Sequence, residues 1–502
     1  MSRFYITTAI DYSNGDAHLG HALEKIGADA IARYRRLAGD DVHFVIGMDE
    51  HGQKIAQAAE PLGQSPQAFV DHMAGRFRST WSRLGIGYDD FIRTSEPRHA
   101  RAVTALVERM VESGDIIPGV YEGYYCVGCE EFKQERDLVD GRCPEHPSRE
   151  ITWAREENYF FRLSRYRDRL LRLLEERPEF VQPEIRRNEI RNVLVEGLQD
   201  VSASRARFPW GIPFPGAPEH TVYVWIDALI NYLSAVGYPD DAYREWWPAD
   251  LHVVGKGVTR FHCIIWPAML LSAGLELPRS VWAHGYITWG GAKLSKSAGV
   301  AVTLDAAIEK YGPDPLRYFL LREVPWNGDG DFTWERFEER YIADLANDLG
   351  NLVHRTTHML ERYRHGRVPD ARAPALDKAG ARARARYRRA MDALLLHEGL
   401  AAAFELVDAA NAFVEASAPW SLAKDPARKD ELDSVLGGLA TTLGRLAILL
   451  TPFMPAKSDE LWVAIAGREG PPPSLAVFDD LSLAGHRVRI GPVLFPKPPN
   501  AA

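Results

Sequence analysis

The feature that most narrows the fold is a strand–helix–strand rhythm at the start of the chain. Phe4-Tyr5-Ile6-Thr7-Thr8-Ala9-Ile10 reads as a buried strand. Ala17 to about Leu37 follows, with Leu23, Ile26, Ala30 and Tyr34 on one face, the period of an amphipathic helix. Val42–Ile46 is a second strand and runs into Gly47-Met48-Asp49-Glu50-His51-Gly52. Units of this length imply a parallel sheet with right-handed crossovers. Ligands on such sheets sit at the carboxyl ends of the strands. His18 and Asp49 both fall just after strand ends, so both belong on that side.

The rhythm is interrupted and then resumes. Residues 1–115 carry the first part of an α/β domain. Residues 116–220 are rich in Tyr, Gly, Cys and Pro and read as an insertion with its own small fold. Residues 221–340 return to the α/β pattern, with a strand at Leu251–Gly255 and another at Trp282–Ile287. Residues 341–490 read as helices, over Ala343–Tyr363, Ala379–Pro419 and Asp430 to about Leu450, and 491–502 as a tail. The expected class is therefore an α/β parallel-sheet domain split by an insertion and followed by an all-α bundle.

Composition excludes some partners. The chain of 502 residues is 46% hydrophobic and 26% charged, the balance of an ordinary globular protein. No 18-residue run lacks charge, so no membrane span is expected. The first residues enter a strand directly, without a basic segment and apolar leader, so the expected location is the cytoplasm. A net charge of −9 argues against a protein that coats nucleic acid. It leaves room for a local basic surface such as Arg382, Arg384, Arg386, Arg388 and Arg389, although a solvated helix face is the simpler account of that run.

Three of the four cysteines lie within 18 residues, as Cys126-x2-Cys129-x13-Cys143-x2-His146. Soft ligands in paired knuckles are a tetrahedral zinc pattern, and four protein ligands leave no open position. One structural Zn²⁺ is expected there, supplying folding energy where apolar residues are few. Cys263 lies in an apolar run and reads as a core thiol.

Two short motifs point to phosphate chemistry. His18-Leu19-Gly20-His21 places two imidazoles three residues apart at a helix start, with Asp16 as the expected N-cap. A helix N-terminus offers free N–H groups and positive potential, and imidazoles there can hydrogen-bond phosphate as charge builds. Gly20 removes a side chain where a flat base would approach the backbone. Lys293-Leu294-Ser295-Lys296-Ser297 places two ammonium groups three residues apart, suited to a pyrophosphate leaving group. Taken singly, each motif is better explained as ordinary histidines or a lysine-rich surface loop.

Taken together, in this order and across a split α/β domain, they resemble the His-Ile-Gly-His and Lys-Met-Ser-Lys-Ser signatures of class I aminoacyl-tRNA synthetases. Leu19 and Leu294 are apolar replacements within them. Thr7–Ile10, Gly47–Gly52, Tyr223–Tyr232 and Phe261–Leu270 look like blocks of methionyl-tRNA synthetases. The similarity runs in order from about residue 4 to 460, and to the family's short bacterial form with a single zinc knuckle. The resemblance implies a Rossmann-like catalytic domain. It also implies a two-step reaction, in which methionine attacks the α-phosphate of Mg²⁺-bound ATP and the methionyl group then passes to the 3′ ribose of tRNA(Met), in initiation and elongation alike.

By matching position it implies catalytic residues His18, His21, Lys293 and Lys296, with Gly20 and Ser295 also against ATP. It implies a methionine pocket of Ala9, Ile10, Tyr12, Asp49, Trp225, Ala228, Leu229, Tyr232, Val258 and His262, with Asp49 facing the α-ammonium. The residue types suit a flexible thioether, since each sulfur–aromatic contact contributes roughly 0.3–1.5 kcal/mol. Such a pocket separates side chains by only about 1–3 kcal/mol per methylene, so homocysteine is the expected misfit substrate. Asn351, Arg355 and Trp420 match the positions that contact the CAU anticodon, and stacking and base-edge bonding suit those side chains. A monomer is expected, because the chain carries no added C-terminal module.

Three positions depart from the family pattern. Asp11 stands between pocket residues where an uncharged residue is usual, Gly257 where Asp is frequent, and Val300 where Asn is common. They keep open a paralogue acting on a methionine analogue. A non-catalytic tRNA-binding relative is the other rival, and the intact His18, His21, Lys293 and Lys296 count against it.

Overall fold

The structure, a computed structural model, describes residues 2–126, 131–133, 135–144, 147, 149–206, 210–289, 292–293 and 304–497. Its centre is a parallel sheet. The strands are β1 (Arg3–Thr8), β2 (Asp41–Asp49), β3 (Asp90–Arg93), β4 (Leu251–Gly255) and β5 (Val281–His284), and helix α1 (Leu19–Ala38) crosses from β1 to β2. β1 lies between β2 and β4, β4 pairs on its far side with β5, and β3 pairs with β2, all in parallel. Tyr5, Ile6, Val253 and Val254 are fully buried, as expected for strands covered on both faces.

The topology defines a crevice. From β1 the chain moves to β2 on one side, and from β4 it moves to β5 on the other. β1 and β4 are neighbours, so the strand order reverses between them, and their carboxyl ends flank the switch point where ligands of such sheets bind. Gly47 permits the close approach of β2 to β3: a Cβ there would lie 2.2 Å from the Ile92 carbonyl oxygen.

The segment 116–220 opens with a long antiparallel hairpin, Ile116–Cys126 against Ile151–Phe161, flanked by Glu131–Lys133 and Val201–Ser202. It is not wholly separate from the central sheet. Two helices, Arg167–Glu176 and Glu184–Glu196, bracket the two-residue strand Val181–Gln182, which pairs in parallel with β5.

The C-terminal region is helical. Tyr341–Gly350, a π-helical stretch, runs into Asn351–Arg364, followed by Pro374–Asp392, Leu396–Ser417, Lys429–Leu450 and Pro455–Ala466. The stretch expected as one helix over Ala379–Pro419 is two helices. The break falls at Ala393–Leu395, where Leu394 takes φ 58°. The apolar periodicity continues across that turn because both helices pack into the same core. The stretch Pro426–Leu450 is apolar and long enough to cross a membrane by composition, and 89% of that window is buried inside the protein.

Arg317 ties the bundle to the sheet domain. Its buried guanidinium donates to Asp29 of α1 at 2.6 Å and to the carbonyls of Pro452 and Phe453 at 3.0 and 2.9 Å. The arginine run at 382–389 lies on a solvated face: Ala383, Tyr387 and Ala390 point into the core, while Arg384 and Arg386 pair with Asp479 and Glu405.

Candidate active site

Thr8 ends β1, and the chain turns through Ala9 and Ile10 into Asp11–Tyr12, a short strand that pairs with Met48–Asp49 at the end of β2. α1 then begins. Its N-cap is His18 rather than the expected Asp16, which is exposed and pairs with Arg76 at 2.9 Å. His18 Nδ1 accepts from the backbone N–H groups of Gly20 and His21 at 3.1 and 3.4 Å, and His21 Nδ1 accepts from the His18 N–H at 3.3 Å. The rings stack with centroids 3.8 Å apart. Because both accept through Nδ1, each neutral ring carries its proton on Nε2, the donor that a phosphate oxygen requires. Gly20 lies beneath the His18 ring, and a Cβ there would come within 3.0 Å of it.

Beside this helix start, a cavity of about 200 Å³ opens at the switch point. Ala9, Ile10, Tyr12, Asp49, Trp225, Ala228, Leu229, Tyr232, Val258 and His262 all line it. The ten residues come from four separate stretches of chain. Lys54, Val224 and Asn231 line it as well. Val224 and Asn231 fall within the Tyr223–Tyr232 block but not among its expected pocket positions, and nothing in the sequence singles out Lys54. Lys54 sits in the first turn of the helix Gln53–Ala59 with Nζ 5.3 Å from the Tyr12 ring centre, and a surface lysine one turn past a strand end leaves no mark in sequence.

The polar groups around the cavity are held in fixed roles. His262 Nδ1 lies 2.9 Å from the Val258 carbonyl and so donates, leaving Nε2 to accept from the Tyr232 hydroxyl at 2.6 Å. Burial pushes His262 down to about 4, so the ring is neutral at pH 7. Trp225 stacks on Phe261 with centroids 3.7 Å apart. Asp49 is buried, and its carbonyl accepts from the Ser13 N–H and hydroxyl at 3.1 and 2.8 Å.

A buried acid anchors the helix Val224–Leu229 to the loop after β2 and to the helix Pro97–Glu112. Asp227 accepts from His51 at 2.6 Å and from His99 at 2.7 Å, and His99 also bonds Ser234 at 2.8 Å. Burial alone would raise the Asp227 carboxyl, yet the two imidazoles hold it down to about 2. These side chains fix one cavity wall without lining the cavity.

The loop after β4 explains one departure. A Cβ on Gly257 would lie 2.1 Å from the Tyr286 hydroxyl, so a larger residue at 257 requires that ring to move. Lys256 lies over the ring, with Nζ 4.6 Å from its centre and 2.6 Å from Asp329. Lys293 ends the short strand Ala292–Lys293, which pairs with Ile287–Trp289. Leu294, Ser295, Lys296, Ser297 and Val300 lie outside the described residues.

Elsewhere, Cys126 ends the hairpin's first strand, and Cys126 and Cys143 are fully buried. Cys129 and His146 lie outside the described residues. Cys263 is a buried core thiol whose pKa burial pushes well up. Asn351 and Arg355 stand one turn apart on Asn351–Arg364. Arg355 lies 5.7 Å from the Trp420 ring and 2.7 Å from Glu415, and Trp420 is 40% exposed.

The family model for class I tRNA synthetases (M) matches residues 4–152 and 146–357. A methionine–tRNA ligase of Thermotoga maritima is 44% identical, over 93% of this chain and 76% of its own length. A methionine–tRNA ligase of Bacillus subtilis is 42% identical, over 98% and 78%. The solved methionyl-tRNA synthetase of Mycobacterium tuberculosis in complex with methionyl-adenylate superposes with a TM-score of 0.94 at 40% identity, covering 99% of this chain and all of that one. The catalytic sheet, the cavity at its switch point and these likenesses agree: the chain belongs to the methionyl-tRNA synthetase family of class I aminoacyl-tRNA synthetases and is a methionine–tRNA ligase.

Proposed function

We propose that the cavity at the switch point binds L-methionine and that the start of α1 receives ATP beside it. The observation that carries this reading is the convergence of ten residues from four stretches on one small cavity next to His18. The thioether lies among Ile10, Trp225, Tyr232, Val258 and His262, where aromatic faces contact sulfur favourably. The neutral His262–Tyr232 pair adds shape and polarity without charge. Asp49 takes the α-ammonium, which leaves the methionine carboxylate to attack the α-phosphate.

His18 and His21 donate from Nε2 to phosphate oxygens as the in-line displacement proceeds, at a helix terminus whose potential already favours anions. Gly20 lets the His18 ring lie close over the helix start, against which the nucleotide binds. Lys293, Ser295 and Lys296 stabilise the departing pyrophosphate, which ATP brings with Mg²⁺ to neutralise phosphate charge. The bound adenylate then gives its methionyl group to the 3′ end of tRNA(Met). Asn351 and Arg355 bond anticodon base edges, and Trp420, already 40% exposed, offers a ring for stacking.

The two fully buried thiols in the hairpin segment fit a zinc site, because thiolates are soft donors and the segment offers them a dry setting. Cys126, Cys129, Cys143 and His146 would complete a closed tetrahedral set, whose chemistry is structural. We place domain limits at 1–115 and 221–340 for the catalytic halves, 116–220 for the insertion and 341–490 for the anticodon-binding bundle. We take the protein to act as a cytoplasmic monomer, not bound to a membrane.

Amino-acid-dependent ATP–pyrophosphate exchange with each of the twenty amino acids tests the reading, followed by charging of initiator and elongator methionine tRNA. Methionine should drive exchange best and both tRNAs should be charged. Exchange driven best by another amino acid overturns the pocket assignment, and exchange without charging overturns the tRNA step.

A further inference from the structure

Lys25 is a lysine with no exposed side-chain surface, in the middle of α1. Its three ammonium protons have three acceptors: the carbonyl of Ala9 at 2.8 Å, Asp11 Oδ1 at 2.9 Å and Glu24 Oε1 at 2.9 Å. Two of the three belong to the segment that turns from β1 into the cavity wall. Ala9, Ile10 and Tyr12 line the cavity, while Asp11 points away from it into the protein, 3% exposed. Asp11–Tyr12 also pairs with Met48–Asp49, so the placement of Asp11 sets the register of Tyr12 beside Asp49. Behind Lys25 the network continues through Glu24 to His284, 3.2 Å away at the end of β5.

Such a network is a poor source of stability. Desolvating buried charges offsets most of their attraction, and well-packed apolar residues often serve as well. What three directed bonds supply is position. A turn of four residues, bonded to its own helix at two points, is held where an apolar contact would let it slide. Burial pushes the Asp11 carboxyl up to about 6 against the pull of Lys25, so the lysine is also what keeps that carboxylate in place and charged.

We propose that Lys25 and Asp11 are positioning residues for the methionine subsite. They clamp the Ala9–Tyr12 turn against α1, so that the pocket wall, and Asp49 paired to it, are set before substrate arrives. This rests on the reading that the cavity takes methionine. It also gives the charged residue at position 11 a task, in a place where the family usually has none.

The test is steady-state exchange kinetics on the full chain with Asp11→Ala, Asp11→Asn and the double variant Asp11→Leu/Lys25→Met, varying methionine and ATP separately. Asp11→Ala keeps Lys25 paired with Glu24. It should raise KM for methionine about tenfold while KM for ATP stays within about twofold, since small misplacements at a site act on the group they misplace. Asp11→Asn keeps an acceptor for Lys25 and should stay within about threefold of the parent. The double variant removes the clamp while Glu24 keeps His284 as its partner at 3.2 Å, so it gives a second route to the raised KM where Asp11→Ala fails to fold. A folded Asp11→Ala or double variant with unchanged KM for methionine overturns the proposal, whatever its Tm. Failure of the underlying reading looks different, because the parent enzyme itself would then exchange best with another amino acid.

Discussion

Tyr232 donates its hydroxyl proton to Nε2 of His262 across 2.6 Å, at the wall of the cavity that we assign to methionine. Each group is meaningful only with the other. The ring of Tyr232 also packs 4.3 Å from His252 and 6.0 Å from Trp266, so it cannot swing away to find another partner. Replacing it by Phe keeps the packing and leaves a buried imidazole acceptor without its donor. Tyr232→Phe should cost about 1–3 kcal/mol in urea unfolding. It should also raise KM for methionine more than KM for ATP. An unchanged unfolding midpoint contradicts the buried hydrogen bond.

The same histidine sets a pH dependence. In the folded chain burial holds His262 at about 4, while an unfolded histidine titrates near 6.5. Below pH 6.5 the unfolded state therefore binds more protons. This group's contribution is fully present above 6.5 and is lost as pH falls toward 4, at about 1.4 kcal/mol per pH unit. His262→Phe should flatten the stability curve over that window relative to the parent, as read by thermal melts from pH 7.5 to 4.5. Parallel curves for the two proteins refute a neutral buried imidazole.

The anticodon assignment separates binding from chemistry. Trp420→Ala removes a stacking platform worth about 1–3 kcal/mol, so KM for tRNA should rise roughly five- to a hundredfold in charging assays. ATP–pyrophosphate exchange needs no tRNA and should be unchanged. Glu415→Gln removes the carboxylate that holds Arg355 at 2.7 Å beside Trp420, and should alter discrimination between CAU and a mutated anticodon. Equal charging of both anticodons by the parent enzyme counts against the whole surface.

Metal content is a fourth check. The purified protein should hold about one zinc per chain, and Cys126→Ser should lose it and lower the melting temperature. Full zinc occupancy after that change refutes the ligand set.

Much of this site was legible in sequence because its parts obey strong local periods. β1, α1 and β2 appear within a few residues of their expected limits, since apolar strands and an amphipathic helix mark themselves. The ten cavity residues were readable only through the family blocks: nothing local to Val258 or Ala228 says that they meet. Other features hide for physical reasons. His18 caps α1 through an imidazole nitrogen, whereas cap preferences favour small oxygen-bearing side chains such as Asp16. Val181–Gln182 is too short to show an alternation. Leu394 adopts a left-handed turn without the glycine that usually marks one. Lys25, in a helix whose arginines Arg33, Arg35 and Arg36 stay partly exposed, reads as another such residue until its three buried acceptors are seen.

The most direct measurement is a crystal structure of this protein with a non-hydrolysable methionyl-adenylate analogue. The thioether should lie in the cavity between Ile10, Trp225, Tyr232, Val258 and His262, the ammonium on Asp49, and the phosphate mimic at the His18–His21 start of α1. A methionyl side chain outside that cavity, or a phosphate mimic away from His18 and His21, contradicts this assignment.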